Sequence, residues 1–590
     1  MRRLLVVLGL FLSVASAQPQ SDSGLVISTT SRLVQVDIVV TGNDGKPIRD
    51  LKASDFTLYQ DGKPQKLSFF DAHAGSTPAP NQATPEALPA NVFSNQPKDA
   101  TSPSWSILLL DLLNTPTHDQ MAAREQLIKV IHSLPGGHPV ALFTLTDQLT
   151  LVQGFSSQPE ALLNAFNKLK IMPSKLYTTE AQRQREVGHA VEVVKMSAPS
   201  LAGSNGDNVA ALGDARGGHG LKNASRSLQG YNQMEAIRTE ERVIFTLDAL
   251  SAISRAISGY PGRKNLLWLS GGFPIRIGPQ YGGIDPWRNE KDFDESLTMA
   301  SALLADSRVA VYPVDIRGAQ ARGVDNSVST TASSAFTGVI AGDAQNTVST
   351  DGYSNLLALQ AAGHFDENAT MFEVAKETGG RAFVNSNDLG DSILRSISDG
   401  TSYYTVAFAP PKTDEKPAYH SIDVKLNRPD TKLSYRRGYY SATHIVESPK
   451  VGAAALQGAL QPGMPPSTTL LFTVKVLPPG PGRKLTVLQY SIDPSHLKFT
   501  DDHEGVRHVT VDCMSIAFDS KGKPVAQISD TMEGTIKTAH FNEVVQKGLP
   551  ATQELNLPPG TYYLKTGIMD RNSSQIGTLD IPLVVPVTFN

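Results

Sequence analysis

Cysteine is almost absent from this sequence, which holds a single one, Cys513, among 590 residues. One cysteine cannot form an internal disulfide, so a small disulfide-stapled scaffold is excluded and stability must come from buried apolar surface. Cys513 stands in the segment His508–Ile516, where apolar and polar residues largely alternate. This pattern predicts a strand that carries the thiol in a hydrophobic core, where it is unreactive.

Charge is scarce and nearly balanced. The chain has 53 Lys and Arg against 57 Asp and Glu, and charged residues make up 19% of the total. A net charge of -4 provides no general field that would attract nucleic acid or an anionic membrane, so we expect no nucleic-acid partner. The hydrophobic fraction of 40% is large enough for real cores, which excludes global disorder.

Long apolar runs are also lacking, apart from one at the start of the chain. Arg2 and Arg3 precede an apolar run from Leu4 to Val14, and Ala15-Ser16-Ala17 follows it. Charged, apolar and small residues in this order predict a cleavable signal peptide over residues 1–17. The run is too short to span a bilayer, and we expect no transmembrane segment in the mature chain. The predicted destination is periplasmic or extracellular.

Motifs of the common enzyme classes are missing from the sequence. It contains no His-Glu-x-x-His, no P-loop and no Gly-x-Gly-x-x-Gly that opens a helix. Ser270 is followed by Gly271 and Gly272, but Trp268 stands where a hydrolase nucleophile elbow requires glycine. The sequence therefore predicts a protein without catalytic activity.

Strand and helix patterns alternate through the middle of the chain. The run Trp105–Asp111 is continuously apolar and ends in a carboxylate, as expected of a central strand covered on both faces. Helical spacing over Gln120–Leu134 and a second apolar run, Val140–Leu145, continue the pattern. Together these elements predict an α/β domain with a parallel sheet.

Other segments differ from this pattern in composition, and these differences divide the chain into a series of predicted units. In chain order these are a β unit at 25–73, a linker at 74–103, the α/β domain at 104–400 with inserts at 175–235 and 318–353, an antiparallel β extension at 401–441, a linker at 442–467, and a β-sandwich at 468–590.

Three segments of the α/β region carry a resemblance to a known family. They are Asp111-Leu112-Leu113-Asn114-Thr115, Leu266–Pro274 and Val309–Asp315, and they resemble segments of von Willebrand factor A domains. With Gly379–Phe383 and Arg436–Tyr440, the chain is more narrowly similar to the VWFA-related exported proteins of the acidobacterial type. The resemblance implies a doubly wound, Rossmann-like sheet, flanked here by the N-terminal β unit and an Ig-like C-terminal sandwich.

In this family, the carboxyl edge of the sheet commonly holds a metal-ion-dependent adhesion site. The family motif is Asp-x-Ser-x-Ser on the first strand, joined by a threonine and a later aspartate. Asp111 and Thr115 match it, whereas Leu113 replaces a serine and Ser270 stands where the later aspartate is expected. The resemblance thus implies a degenerate site for Mg²⁺ or another divalent cation. The candidate ligands are Asp111, Thr115 and Ser270, with Asn114, Asp119 and Asp147 as possible substitutes.

A structural role for the same residues is the alternative that we favour. Asp and Asn side chains bond nearby backbone N–H groups, so Asp111 and Asn114 would serve as turn and helix-capping groups. The tyrosine pairs Tyr403-Tyr404 and Tyr439-Tyr440 are interpreted as packing residues rather than as a sugar-stacking surface.

The function predicted from these observations is that of an exported, non-catalytic adhesion or interaction protein. It would bind a protein or cell-surface ligand at the carboxyl edge of the sheet, where exposed loops lie on a rigid scaffold. Two alternatives remain open: a secreted enzyme or carbohydrate-binding enzyme accessory that uses the sandwich, and a periplasmic scaffold.

Overall fold

The computed structural model describes most of the chain outside its termini and long loops. The described residues are 33–74, 88–97, 104–134, 138–169, 174, 176, 218–272, 276–277, 291–317, 368–385, 389–410, 418–441, 449–501 and 506–587. The predicted signal peptide at 1–17 and the predicted insert at 318–353 lie outside these residues. Within them, no helix is both long enough and apolar enough to cross a membrane.

Helices and strands are numbered here in chain order. The helices are α1 (Thr117–Ser133), α2 (Pro159–Lys168), α3 (Gly218–Ile257), α4 (Asp294–Asp306), α5 (368–378), α6 (Leu389–Thr401), α7 (Pro449–Ala459) and α8 (Thr538–Lys547). The strands are β1 (Val34–Gly42), β2 (Phe56–Gln60), β3 (Lys63–Gln65), β4 (Phe69–Ala74), β5 (Val92–Ser94), β6 (Ser104–Asp111), β7 (Val140–Leu145), β8 (Leu149–Ser156), β9 (Arg263–Ser270), β10 (Arg276–Ile277), β11 (Lys291–Asp292), β12 (Val309–Asp315), β13 (Ser402–Phe408), β14 (Tyr419–Leu426), β15 (Thr431–Ser434), β16 (Gly438–Tyr440), β17 (Phe472–Leu477), β18 (Thr486–Ile492), β19 (Thr500–Asp501), β20 (Arg507–Phe518), β21 (Pro524–Ile536), β22 (Leu549–Leu555), β23 (Gly560–Asp570) and β24 (Ile576–Val585).

The central sheet has the strand order β12-β9-β6-β7-β8, and β8 is its one antiparallel strand. The strands β6, β7, β9 and β12 are buried along their whole length, because helices cover both faces. Leu247 of α3 and Leu304 of α4 pack on one face, and Leu127 of α1 and Ile393 of α6 pack on the other. This is the doubly wound arrangement that the sequence predicts.

The strand order reverses at β6, which pairs with β7 on one side and with β9 on the other. Ligands of doubly wound sheets bind at such a switch point, outside the carboxyl ends of the strands. Asp111 ends β6 and Ser270 ends β9, so the fold brings these two residues to the switch point.

A β-sandwich is built from two segments that lie on either side of the α/β domain. Its sheets have the orders β15-β1-β13-β4 and β16-β14-β2-β3, and they share one hydrophobic core. The sequence predicts separate units at 25–73 and 401–441, and the structure instead pairs their strands into one N-terminal sandwich. Local patterns predict strands but not partners, and here β1 pairs with β13 far away in the sequence.

The C-terminal sandwich has one sheet of order β22-β18-β17-β5 and a second of order β19-β20-β23-β24, with β21 paired to β20. Apolar side chains from both sheets form a single core. Cys513 lies fully buried within it, as predicted, and burial raises the pKa of its thiol.

Two segments predicted as linkers contribute to this sandwich. In 74–103, β5 pairs with β17, and Asn95 donates to the backbone oxygens of Ser467 and Leu470 at 3.1 and 2.8 Å. In 442–467, α7 packs Leu456 onto the outer face of β20 and β23. Both segments are rich in proline or small residues, and among their described residues Phe93 and Leu456 pack against the sandwich.

The predicted insert at 175–235 is partly helical. Residues 218–235, which fall within the predicted insert, form the first part of α3. The Gly, Ser and Asn content of this segment argues against a helix, but the helix is continuous with the part that packs on the sheet.

A buried ion-pair network joins the N-terminal sandwich to the α/β domain. Asp37 of β1 accepts from Arg308 Nε at 3.0 Å and from Arg308 Nη2 at 2.7 Å, and Thr405 Oγ1 donates to it at 2.8 Å. Arg263, fully buried at the amino end of β9, donates to the Asp37 and Gly379 carbonyls. Burial alone would raise the pKa of Asp37, but the charges of Arg308 and Arg263 and these hydrogen bonds hold it below its ordinary value.

Replacing Asp37 by alanine tests this network. Asp37→Ala should lower the free energy of unfolding by about 3–5 kcal/mol, because it leaves buried guanidinium groups without their carboxylate. Urea unfolding measures the change. The control is Asp50→Ala, which removes the exposed partner of Arg428 and should leave the midpoint unchanged.

The same network makes a pH prediction. Because the folded pKa of Asp37 lies below its ordinary value, its stabilising effect is complete above about pH 3.9 and disappears as the pH falls through the folded pKa. The stability difference between the wild type and Asp37→Ala should therefore shrink on acidification below about pH 4. A difference that stays constant down to pH 2 would contradict the assignment.

Candidate functional site

The loop after β6 brings four of the predicted site residues together. Asp111, Asn114, Thr115 and Ser270 are all buried and lie within one hydrogen-bond network. The strand β9 approaches this loop so closely that a Cβ atom on Gly271 would lie 2.6 Å from the Asn114 carbonyl oxygen. Glycine is therefore needed at position 271 for the two strand ends to meet.

Asp111 is the centre of the network and accepts four hydrogen bonds from the protein. Its Oδ1 accepts from the backbone N–H of Asn114 at 3.0 Å. Its Oδ2 accepts from Asn114 Nδ2 at 2.9 Å, Ser270 Oγ at 2.8 Å and Trp268 Nε1 at 3.1 Å. Burial raises the pKa of Asp111, and these hydrogen bonds from neutral groups oppose the shift only in part.

The neighbouring side chains extend the network to the backbone and to α3. Thr115 Oγ1 donates to the Asp111 carbonyl oxygen at 2.5 Å and accepts from Gly271 N at 3.1 Å. Asn114 Nδ2 also donates to Thr246 Oγ1 on α3 at 2.8 Å. The network thus connects β6, β9 and α3, and it reaches α1 through the loop that precedes this helix.

The two acidic substitutes do not take part in the bonds to Asp111. Asp119 lies in the first turn of α1. Asp147 is exposed after β7 and accepts from Ser174 Oγ at 2.5 Å. Among the described residues, no group of three His, Cys, Asp or Glu side chains is placed to hold a metal ion.

The residues at this loop do not fit a divalent cation. The hydrogen atoms of four donors point at Asp111 and occupy the positions that a cation would need. Leu113, which replaces the family serine, is fully buried in the core. The buried oxygens without a hydrogen-bond partner here are Asn114 Oδ1 and Gln120 Oε1, which are neutral amide oxygens. We therefore assign Asp111 and Asn114 to the turn, in agreement with the structural alternative.

The capping part of that alternative is wrong. The N-cap residue of α1 is Pro116, and no side chain caps the helix. Gln120 Nε2 instead donates back to the Leu112 and Thr115 carbonyl oxygens at 3.2 and 2.9 Å, which fixes the loop from within α1.

A second carboxylate of this edge was not singled out as a site residue in the sequence. Asp315 ends β12 and forms a bidentate pair with Arg317, with distances of 2.9 and 3.0 Å from the guanidinium nitrogens to the two carboxylate oxygens. Both side chains are buried. This edge of the sheet therefore satisfies its buried carboxylates internally, one with neutral donors and the other with an arginine.

Trp268 and Thr246 are also members of the site that sequence reasoning missed. For Trp268 a signal was present, because residues two apart on a strand share a face and Ser270 was already a candidate. Thr246 gave no signal, because its position depends on how α3 crosses the sheet.

These contacts predict how the site responds to metal and to mutation. Mg²⁺, Mn²⁺ or Ca²⁺ at millimolar concentration should leave the urea midpoint unchanged, because a ligand must bind the folded state to stabilise it.

Asp111→Ala should lower the free energy of unfolding by at least about 2 kcal/mol, since buried donors lose their acceptor. Asp147→Ala serves as the exposed control and should change nothing. Saturable metal binding that Asp111→Ala abolishes would instead establish an adhesion-type site.

Comparisons with known proteins give neighbours only among solved structures. No family model and no curated protein matches the chain. An aerotolerance-related membrane protein from Bacteroides fragilis is 9% identical, with 50% of this chain and 98% of that chain covered and a TM-score of 0.21. The conserved hypothetical protein BatB from Bacteroides thetaiotaomicron is 10% identical, with 50% and 97% covered and a TM-score of 0.20.

A von Willebrand factor type A structure from Catenulispora acidiphila is also among the neighbours. It is 8% identical, with 57% of this chain and 65% of that chain covered and a TM-score of 0.22. All three TM-scores are below 0.5, so the argument for the fold rests on the strand order and connections of this chain. The strand order, with its switch point at Asp111 and Ser270, is that of a doubly wound α/β domain, and the resemblance to von Willebrand factor A domains rests on the sequence motifs.

Proposed function

We propose that the chain is an exported, non-catalytic interaction protein. It binds a protein or cell-surface partner at the carboxyl edge of its doubly wound sheet. The N-terminal sandwich and an Ig-like C-terminal sandwich flank the α/β domain. The observation that carries this proposal is a stripe of exposed apolar side chains on α3, beside the switch point.

The helix α3 reaches beyond the edge of the sheet. It leads into β9 and therefore runs opposite to the parallel strands, so its N-terminal part lies at their carboxyl ends. Thr246, which accepts from Asn114, marks the level of the switch point. Residues 218–245 precede this level, and at 1.5 Å per residue they span about 42 Å.

Four apolar side chains of α3 face solvent near this level. They have between 40% and 50% of their surface exposed: Met234, Ile237, Ile244 and Phe245. The helical period places them opposite the buried face, which holds Val243, Leu247 and Leu250. Exposed apolar side chains grouped on one helix face, here with the exposed Glu241 between Ile237 and Phe245, commonly mark an interaction site.

The closed Asp111 network determines which kind of contact the proposal includes. A partner carboxylate cannot complete the coordination of a cation that the loop does not hold. The proposed contact is therefore made by apolar surface and by the loops around the edge, and a chelator should not release the partner.

A photoreactive side chain on α3 tests the proposal. Ile237 is replaced by a photoreactive phenylalanine analogue, and the protein is irradiated in the exporting cell. A discrete cross-linked product should form, and Phe245→Glu should abolish it by placing a charge in the apolar stripe. The matched control carries the analogue at Val545, which is 53% exposed on α8.

Equal cross-linking from positions 237 and 545, or none from position 237, would contradict the proposed site. Loss of the product on addition of a chelator would show that the contact requires a metal. Both variants alter exposed residues, so the thermal unfolding midpoint should match that of the wild type.

A further inference from the structure

The outer face of the second C-terminal sheet is only partly covered. Leu456 of α7 and Leu460, which directly follows this helix, pack with Met569 of β23 and Ile516 of β20 on the outer face. At the other end Phe518 is buried opposite Tyr563 in the strand pairing, and among the described residues the surface beyond it on β23 and β24 is exposed. At that end Tyr563 on β23 is 44% exposed and Val584 on β24 is 66% exposed. Pro582, which pairs with Tyr563 in the strand register, is also exposed.

Tyr563 is held rigidly on this open face. Its hydroxyl donates to Asp580 Oδ2 at 2.6 Å, and the Asp580 carboxylate also pairs with Lys565 Nζ at 2.8 Å. The strand register places Tyr563 opposite Pro582 and Lys565 opposite Asp580. A ligand that stacks on this ring therefore costs little side-chain conformational entropy.

The open face carries apolar surface and hydrogen-bonding capacity but no net charge. The charge of Asp580 is cancelled by Lys565, whose side chain is only 2% exposed. Asp580 itself remains 20% exposed. Its Oδ1 is buried beside Lys565, so the acceptor for a ligand is Oδ2, which has a lone pair besides the one that accepts from Tyr563. This combination is complementary to an uncharged ligand that has flat C–H faces and hydroxyl groups.

We propose that Tyr563, Asp580, Pro582 and Val584 form a platform that binds a neutral polysaccharide, with a pyranose ring stacked on Tyr563 and a sugar hydroxyl bonded to Asp580 Oδ2. Neighbouring strands lie about 4.8 Å apart, so Tyr563 and Pro582 offer two adjacent positions along a flat chain. The proposal is independent of the carboxyl edge of the α/β sheet.

Peptide and membrane ligands fit this platform less well. An added peptide strand pairs with a sheet edge, and a helical peptide requires a groove, whereas the platform is the flat face of a sheet. An anionic membrane surface requires basic residues, and the one lysine of the cluster is buried and paired.

Affinity electrophoresis of the full mature chain tests the platform. The gels contain one of four soluble neutral polysaccharides: mixed-linkage β-glucan, xyloglucan, galactomannan or dextran. We expect at least one of them to retard the wild type. Tyr563→Ala should weaken the association by at least about tenfold, because the stacking surface is lost.

Two further variants keep the test decisive. Val584→Asp changes an exposed side chain, so it should leave the fold intact while placing a charge on the platform and abolishing retardation. Tyr419→Ala is the matched control, because Tyr419 on β14 of the N-terminal sandwich is also an exposed tyrosine, at 41%, and its hydroxyl also donates to a carboxylate, that of Glu377 on α5, at 2.9 Å. It should be retarded as the wild type is.

Several outcomes would overturn the proposal. They are the absence of retardation by all four polysaccharides, retardation that survives both Tyr563→Ala and Val584→Asp, and binding of a proline-rich peptide at this face in place of sugar. None of these outcomes bears on cross-linking at α3, so the two proposals fail separately.

Discussion

The ion pair between Asp37 and Arg308 is the contact on which the arrangement of the N-terminal half depends. It joins β1 of the sandwich to the amino end of β12, and Arg263 extends it to β9 and Gly379. A buried carboxylate is unfavourable unless charge and hydrogen bonds compensate it. At the opposite edge of the same sheet, Asp111 meets this requirement with neutral donors alone. The pKa values of the two carboxyls therefore shift in opposite directions, that of Asp37 downward and that of Asp111 upward.

This contrast distinguishes the two edges of the sheet: the amino edge attaches the N-terminal sandwich, and the carboxyl edge is the one at which we propose that a partner binds. The charged network at the amino edge is selective for a single partner surface, which is the sandwich of the same chain. The network at the carboxyl edge makes all its hydrogen bonds internally and has no free carboxylate in its described part. It makes that edge a rigid support for the exposed side chains of α3.

Local sequence patterns predict many elements of the α/β domain, but not β8, α6 or the first part of α3. The helical spacing over Gln120–Leu134 corresponds to α1, and the apolar runs at 105–111 and 140–145 are buried strands. The pairing of β1 with β13 could not be predicted, because alternation identifies a strand but does not identify its neighbour. The same limit applies to β5, whose three residues in a proline-rich segment gave no recognisable period.

The sequence predicts which residues form the candidate site better than it predicts the chemistry of these residues. The motif at Asp111 located the switch point and four residues that do lie together there. Whether a carboxylate holds a cation or is held by donors depends on the side chains that surround it in three dimensions. Trp268 and Thr246 supply those contacts from elements more than 130 positions away in the sequence.

The divided N-terminal sandwich has a consequence for the biogenesis of the protein. Strands β1–β4 end at Ala74, and the partner strands begin only at Ser402, after the whole α/β domain. At synthesis rates of about 5–20 residues per second, the first half waits on the order of half a minute for the second. During that interval its strand edges are unpaired and open to wrong partners. A chaperone that holds the nascent N-terminal segment would therefore increase the yield of this protein more than that of one whose sandwich is continuous in sequence.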